Sequence, residues 1–143
     1  MNFSRREWQF LMPLLAAGSA AAASDTDLPS NCYKFEELPV TTNPKTHAES
    51  RQVFHGTIHT GALIDMHITT MPPGQMPHAA HHHVHEEMML VQKGSLEVTI
   101  SGRTRVVGPG SVIYIHSNEE HGLKCTGDVA AQYFVLALGD PTA

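Results

Sequence analysis

The sequence predicts an all-β protein with one domain of the jelly-roll β-barrel type, and three observations support this prediction. Apolar and polar residues alternate with a period of two along several short segments, which is typical of half-buried strands. Glycine and proline interrupt these segments at short intervals, as turns between strands require. No segment outside the first 23 residues has a convincing helical pattern. Eight to ten short strands joined by such turns are typical of a jelly roll or a barrel.

The predicted elements begin after a polar leader. Residues 24–50 form this leader and one edge strand, which we expect at residues 33–40 because Pro39 and the Thr-Asn-Pro turn at 42–44 end it. The barrel domain itself is predicted to span residues 51–143. Two early strands flank Gly61, and the second alternates apolar residues with Asp65, His67 and Thr69.

The remaining strands follow a proline-rich loop. Residues 71–77 contain three prolines, which cannot donate to a strand ladder, so this segment is predicted to be a loop. The Ser101-Gly102 turn predicts a hairpin. The later strands are predicted at residues 87–92, 96–100, 103–107, 111–115 and 129–138.

A metal site is predicted at residues 81–87, which read His-His-His-Val-His-Glu-Glu. Imidazole suits Zn, Cu, Fe and Ni, whereas carboxylate suits harder ions. A mixed set of nitrogen and oxygen ligands therefore indicates a catalytic type of site for a first-row transition metal, rather than a closed thiolate site. The alternative is a solvated polyhistidine loop that binds ions loosely.

The alternation of an extended chain indicates which of these side chains converge. His81, His83 and Glu87 have the same parity and are expected on one face, with His82 facing away. His85 shares the inward parity. It faces inward as well, unless a bulge in the chain beside it turns it aside.

The spacing of these residues resembles the two motifs of the cupin family. The first motif is G-x(5)-H-x-H-x(3,4)-E-x(6)-G, and the chain matches it with one extra residue after the first glycine. The second is G-x(5)-P-x-G-x(2)-H-x(3)-N, in which His116, Asn118 and Cys125 replace the proline, the glycine and the asparagine. The matching residues are Gly74, His81, His83, Glu87 and Gly94 in the first motif, and Gly110 and His121 in the second.

The resemblance covers about residues 60 to 138 and implies a cupin jelly-roll barrel. It implies that one divalent transition metal is bound by His81, His83, Glu87 and His121, which leaves two positions of a six-coordinate ion open for chemistry. It also implies a homodimer. The histidines that we expect to support the ligands or replace one of them are His78, His85 and His116.

The first 23 residues are predicted to be a cleavable signal peptide. Arg5 and Arg6 precede a moderately apolar stretch that ends in small residues, and cleavage is expected after Ala23. The paired arginines resemble a twin-arginine signal, with the Sec route as the alternative. Export to the bacterial periplasm or the extracellular space follows. A membrane anchor is not expected, because the stretch from Phe10 to Ala23 is fourteen residues long and interrupted by Pro13, well below the roughly 20 needed to span a bilayer.

The two cysteines, Cys32 and Cys125, are candidates for a disulfide, which an oxidising compartment permits. The alternative is a pair of unlinked thiols with Cys125 buried in a strand. A Cys125 thiolate as a metal ligand is a third alternative.

Three functional hypotheses follow. The first is an enzyme of the dioxygenase, decarboxylase, isomerase or lyase type, which the resemblance implies and which acts on a small organic molecule. The second is a copper carrier or ligand sensor, because Met71, Met76 and His78 precede the histidine run; packing is the alternative role of the methionines. The third is a structural module. Nucleic acid is not an expected partner, because a net charge of -5 provides no basic face.

Two further expectations concern the enzyme hypothesis. If the protein folds in the cytoplasm before twin-arginine export, Mn or Fe is favoured over Ni, Zn or Cu. Apolar side chains are expected to form the wall of a substrate cavity at the barrel mouth. The residues expected in that wall are Met66, Met88, Ile113, Tyr133 and Val135.

Overall fold

In a computed structural model that describes residues 27–140, the chain forms nine β-strands and one short 3-10 turn. No helix within these residues is long and apolar enough to cross a membrane. The predicted signal peptide, residues 1–23, lies outside the described residues. The strands are β1 (Val40–Thr42), β2 (Glu49–Thr57), β3 (Leu63–Met71), β4 (Glu86–Lys93), β5 (Leu96–Ile100), β6 (Arg103–Val107), β7 (Val112–Ile115), β8 (His121–Cys125) and β9 (Ala131–Leu138).

The strands form two antiparallel sheets. Six strands pair in the order β1-β2-β3-β9-β4-β7, and three pair in the order β6-β5-β8. The last strand, β9, lies between β3 and β4, in the middle of the larger sheet. The two sheets are not joined into one closed barrel. The predicted all-β jelly-roll fold is confirmed.

The core lies between the two sheets. Along β9, buried residues alternate strictly with partly exposed ones, as a period of two requires. Tyr133 and Val135 of β9 belong to the same buried cluster as Leu96 and Val98 of β5 and Leu123 of β8. Full burial of an aliphatic side chain of this size contributes about 1.5–3 kcal/mol. Apolar contact between the inner faces therefore holds the sheets together.

The prediction of an edge strand at residues 33–40 is wrong. A 3-10 turn occupies Phe35–Glu37, and the strand begins only at Val40, which pairs with Arg51 of β2. The turn is stabilised locally by a 2.8 Å ion pair between Lys34 and Glu37. Because Pro39 has no amide hydrogen to donate to a ladder, pairing starts after it.

The loop of residues 72–85, which we call the histidine loop, is fastened along β8. The Gly74 amide donates to the Cys125 carbonyl at 2.8 Å, and the Cys125 amide donates to the Gln75 carbonyl at 2.9 Å. At the other end of β8, the amides and carbonyls of His81 and His121 are bonded to each other. These bonds bring the histidine loop from the end of β3 to the start of β4.

Candidate metal centre

The four predicted ligands come from three parts of the chain. His81 and His83 belong to the histidine loop, Glu87 is the second residue of β4, and His121 is the first residue of β8. The backbone pairing of His81 with His121 brings the two motifs together. The structure thus gathers all four residues at one end of the space between the sheets.

The ligand atoms of the four residues lie close to one another. Glu87 Oε2 lies 3.4 Å from His121 Nε2 and 3.6 Å from His83 Nε2. The ligand atoms of His81, His83 and His121 all lie within 4.8 Å of one another. Ligand atoms about 2.1 Å from an ion are at most about 4.2 Å apart, so small adjustments would bring the three imidazoles onto a single ion beside Glu87.

Backbone carbonyls orient two of the imidazoles. His83 Nδ1 lies 2.8 Å from the His85 carbonyl, and His121 Nδ1 lies 2.9 Å from the Glu119 carbonyl. A carbonyl only accepts, so each Nδ1 carries the hydrogen and each Nε2 is left as the free ligand atom. Both Nε2 atoms, and His81 Nδ1, are buried without a hydrogen-bond partner. Such unpaired nitrogens beside a carboxylate fit a divalent cation.

The electrostatics of the cluster favour the metal-binding protonation states of Glu87 and His81. Burial alone raises the pKa of Glu87, but the imidazoles of His121 and His83 beside the carboxylate outweigh burial and lower that pKa to about 2. The neighbouring Glu87 carboxylate raises the pKa of His121. Burial, together with the neighbouring histidines, lowers the pKa of His81. Metals bind ionised carboxylate and neutral imidazole, so Glu87 and His81 are in suitable forms at neutral pH.

His85 faces inward, as its parity indicates. Its ring stacks on that of His83 with the centroids 3.6 Å apart and the planes 5° apart. Its Nε2 lies 3.6 Å from Glu87 Oε1, and burial lowers its pKa. His83, His85 and Glu87 therefore form a second group that can hold an ion. Because this group shares His83 with the first and contains the predicted ligand Glu87, His85 is positioned as an alternate ligand.

The structure separates the other two candidate histidines. The ring of His78 makes an edge contact with that of His81 at 4.1 Å, so His78 lies beside the ligands. His116 is exposed, its Nδ1 bonds the Ser117 carbonyl, and it belongs to neither group that can hold an ion among residues 27–140. His82 is exposed, as predicted.

Asn118 takes the place of the motif glycine without disrupting the turn. Its φ of 60° is in the left-handed region, which asparagine tolerates better than most residues. Its amide donates to the His83 carbonyl at 2.7 Å. The turn before β8 therefore helps to hold one of the predicted ligands.

The candidate disulfide is not formed in the structure, where both cysteines are free thiols. Cys32 is exposed, whereas Cys125 is fully buried in the core and its thiol donates to the Val129 carbonyl at 3.5 Å. Cys125 is in neither of the two groups that can hold an ion among the described residues. This arrangement corresponds to the alternative of unlinked thiols.

A cavity of about 440 Å³ opens beside Glu87 and His121. Tyr133 and Val135 line it, as expected. Met66, Met88 and Ile113 do not: Met66 lines a groove on the outer face of the larger sheet, Met88 is exposed, and Ile113 lines a third cavity. The residues that line the cavity include Thr41, Thr42, Asn43, Pro44, Ala48, Glu49, Ser50, His67, Thr69, Met71, Pro77, His78, Met89 and Leu123.

Sequence reasoning missed His67, which reaches the cavity from β3. The alternation along β3 was interpreted with no role for the polar residues in a site. Asp65, His67 and Thr69 in fact share the face of the buried Met71, whereas Met66 and Ile68 line the outer groove. The alternating polar residues of β3, close to a predicted metal site, could have indicated that His67 faces the cavity. The apolar residues of β3 suggested the opposite orientation, but they face outward, where Tyr33 and Phe35 of the N-terminal segment cover them.

Comparisons with known proteins agree with this architecture. The family described as Cupin domain matches residues 67–137, and no curated protein matches the chain. The polyketide cyclase RemF from Streptomyces resistomycificus is 18% identical, covering 78% of this chain and 81% of that one, with a TM-score of 0.64. A predicted oxalate decarboxylase from Thermotoga maritima is 17% identical, covering 77% of this chain and 100% of that one, with a TM-score of 0.63. A sugar phosphate isomerase from Silicibacter pomeroyi is 13% identical, covering 78% of this chain and 77% of that one, with a TM-score of 0.61.

Proposed function

This chain carries a cupin domain and belongs to the cupin superfamily, and we propose that it is an exported, metal-dependent enzyme that acts on a small organic molecule. The observation that carries the proposal is the clustering of three imidazoles and one carboxylate, of which Glu87 and His121 line an open cavity. The solved structures of similar fold named above include a cyclase, a predicted decarboxylase and an isomerase.

The residues present fit one divalent transition ion. His81, His83, Glu87 and His121 would hold it, with Mn or Fe favoured and Ni, Zn or Cu as alternatives. When bound, the ion supplies Lewis-acid polarisation of a substrate oxygen, or oxygen activation. Four protein ligands leave two of six positions for substrate, and the cavity beside Glu87 and His121 provides the space.

The remaining residues of the cavity bind and orient the substrate. Val135, Met89 and Leu123 provide apolar contact that excludes water, while Thr69 and Ser50 provide hydroxyl groups. Burial raises the pKa of Tyr133, so its hydroxyl stays protonated at neutral pH. Apolar walls with a few polar groups are typical of small-molecule sites.

The copper-carrier hypothesis receives less support. Met71 is fully buried and packs in the core, and core packing is the alternative role that the sequence analysis gives for the methionines. Met76 is exposed. A thioether site would therefore have to be built from Met76 and His78 at the surface, away from the core methionine.

We also propose export and dimerisation. Export rests on the signal pattern of residues 1–23. Dimerisation is supported by exposed apolar side chains on the outer face of β4 and β7, where Met88 pairs with Tyr114 and Leu90 with Val112. Light scattering of the mature protein tests the second proposal, and fractionation of the native host tests the first.

Elemental analysis of untagged protein from the native host tests the metal-dependent function. About one Mn, Fe or Ni per chain is expected, because the four ligands describe one ion. His83→Ala protein should carry almost none, whereas His82→Ala protein, with the exposed neighbour changed, should carry as much as wild type. Copper, or several ions per chain, would favour the carrier hypothesis. Absence of metal from wild-type protein would leave only the structural hypothesis.

A further inference from the structure

We propose that His67 is the proton-transfer residue of the cavity and that Asp65 positions it. This inference rests on the proposed metal-dependent function, because it assigns a general acid or base to the same cavity.

The Asp65 carboxylate is a largely buried acceptor with several donors. Its side chain is 13% exposed. Oδ1 lies 3.4 Å from His67 Nδ1, and Oδ2 lies 3.2 Å from His55 Nδ1 and accepts a 2.8 Å bond from Gln52 Nε2. An ionised carboxylate only accepts, so each imidazole must present a hydrogen on Nδ1.

This contact determines which nitrogen of His67 is available. With the hydrogen on Nδ1 directed at Asp65, the neutral ring has its free electron pair on Nε2, on the opposite side. His67 lines the cavity and is 30% exposed, so its ring is in contact with the solvent-filled space in which a substrate would bind. A carboxylate that holds the tautomer and balances the imidazolium charge is what a general base requires.

The strand register places His67 and the predicted ligand Glu87 on the same inner face of the larger sheet, two strands apart. His67 of β3 pairs with Val135 of β9, which pairs in turn with Met89 of β4, two residues beyond Glu87. Neighbouring strands are about 4.8 Å apart, so β3 and β4 are separated by about 10 Å. His67 and Glu87 both line the cavity, and a molecule held beside Glu87 would extend over Val135 to His67.

The other titratable groups of the cavity are less suited to this role. Glu87 and His121 are predicted ligands, and Tyr133 holds its proton. His78 bonds only the carbonyl of its neighbour Ala79, at 2.9 Å, and has no carboxylate partner among its hydrogen bonds. Glu49 lies 3.3 Å from the Arg51 guanidinium, which balances its charge. Among the described residues, His67 is the cavity histidine that has a carboxylate partner and lies outside the predicted ligand set.

Pyruvate in D2O with zinc-loaded protein is a direct probe of proton transfer. Its carbonyl oxygen and one carboxylate oxygen could occupy the two open metal positions. His67 Nε2 would take a proton from the methyl carbon. The electron pair of the broken C–H bond would form a C=C bond while the π pair of the carbonyl moved to oxygen, and delivery of a solvent deuteron to the carbon would restore pyruvate carrying one deuterium. Zinc is redox-inert, so no oxidant or reductant is involved.

Three variants separate the roles. His67→Gln should bind one zinc and lose the exchange by roughly 100-fold or more, the usual contribution of a general base. Asp65→Asn should lower it by about tenfold, as removal of an orienting partner does. His55→Gln is the matched control, because His55 contacts the same carboxylate but lies outside the cavity, and it should stay within about threefold of wild type.

Equal exchange by wild type and His67→Gln would overturn the proposal. So would loss of zinc from His67→Gln, which would make His67 a ligand or a structural residue, or the absence of exchange by wild type that holds one zinc. If wild type binds no zinc, the proposed function fails. In that case 15N NMR of the metal-free protein still tests the positioning: the Nδ1–H tautomer of His67 should predominate, and Asp65→Asn should abolish that preference.

Discussion

His81 and His121 are bonded to each other through their backbones in both directions, with the His81 amide 3.0 Å from the His121 carbonyl and the His121 amide 2.9 Å from the His81 carbonyl. Forty residues of sequence separate the two, and each comes from a different cupin motif. The backbone thus fixes the distance between two predicted ligands before any metal binds, which reduces the conformational freedom that binding must remove.

Replacing His121 with Ala should abolish stoichiometric metal binding while the barrel stays folded. His121 Nε2 is one of the atoms closest to Glu87, and its loss removes a ligand that no other described residue can supply from β8. Elemental analysis and far-UV circular dichroism measure the two parts of the prediction. The exposed His116→Ala is the matched control and should keep its metal. Equal loss from both variants would contradict the ligand set.

Replacing His85 with Ala should weaken metal binding without abolishing it. His85 contacts Glu87 Oε1 and stacks on His83, so its removal loosens two ligands but leaves the set of His81, His83, Glu87 and His121 intact. A reduction in affinity of about 10- to 100-fold is expected, in the range for partners of ligands. Titration against a metal-ion buffer measures it. Loss as complete as in His83→Ala would show that His85, rather than His81, binds the ion.

The metal-free protein should lose stability on acidification. Glu87 has a pKa lowered from 4.5 to about 2, so its contribution is fully present above pH 4.5 and is lost as the pH falls toward 2. It amounts to about 3 kcal/mol at most. His81 and His85, whose pKa values are lowered from 6.5, contribute stability that is lost as the pH falls below 6.5.

His121 has the opposite sign. Its raised pKa gives a contribution that is present below pH 6.5 and is lost as the pH rises through the folded value. Urea unfolding between pH 7 and 3 measures the sum of these effects. Glu87→Gln should remove most of the slope below pH 4.5, and an unchanged slope in this variant would show that other carboxylates cause the acid sensitivity.

Replacing Gly94 with Ala should destabilise the protein by at least about 2 kcal/mol. Gly94 has a φ of 75°, and a Cβ atom there would lie 2.7 Å from Ala131 Cα and 2.8 Å from the Ala130 carbonyl oxygen. Gly102→Ala is the control: it has nearly the same φ, 74°, but nothing within 4 Å, so it should cost only about 1 kcal/mol. Urea unfolding compares the stability of the two variants. Equal losses of stability would mean that the strain of the positive φ, and not the contact with Ala130 and Ala131, causes the destabilisation.

The thiols should differ sharply in reactivity. Cys32 is exposed and Cys125 is fully buried, so Ellman's reagent should modify one thiol per native chain and two in denaturant. Intact mass, which decreases by about 2 Da when a disulfide forms, is the second measurement. A mass lower by 2 Da, with no reactive thiol in denaturant, would show that the protein contains the disulfide.

The sequence was sufficient to predict the fold and the ligand cluster because both depend on local patterns. The strands at residues 96–100 and 103–107 were predicted with the observed bounds, since alternation and the Ser101-Gly102 turn act over a few residues. Strand β8 was anticipated only at Cys125, in the alternative that buries this cysteine in a strand, and its start at His121 was not predicted. Its residues His-Gly-Leu-Lys-Cys show little alternation in hydrophobicity, and it forms because β5 and the histidine loop pair with it from either side.

The orientation of β3 could not be predicted from alternation. A strand with one apolar and one polar face normally turns the apolar face to the core, and β3 does the reverse in part because the N-terminal segment covers its outer face. The Asp65–His67 contact depends on that orientation. Which face of such a strand points to the core depends on what covers the other face of the sheet, and here residues distant in the sequence cover it.

The attachment of the histidine loop to β8 has a consequence for association between molecules. β8 is the outer strand of the three-stranded sheet, and its backbone groups would be available to pair with another chain if the loop did not occupy them at His121 and at Cys125. The loop lies so close that a Cβ atom on Gly122 would be 3.2 Å from Ala80 Cβ. A bound ion would hold the loop in place through His81 and His83. We therefore expect that removing the metal with a chelator favours aggregation, and that bound metal keeps the protein soluble.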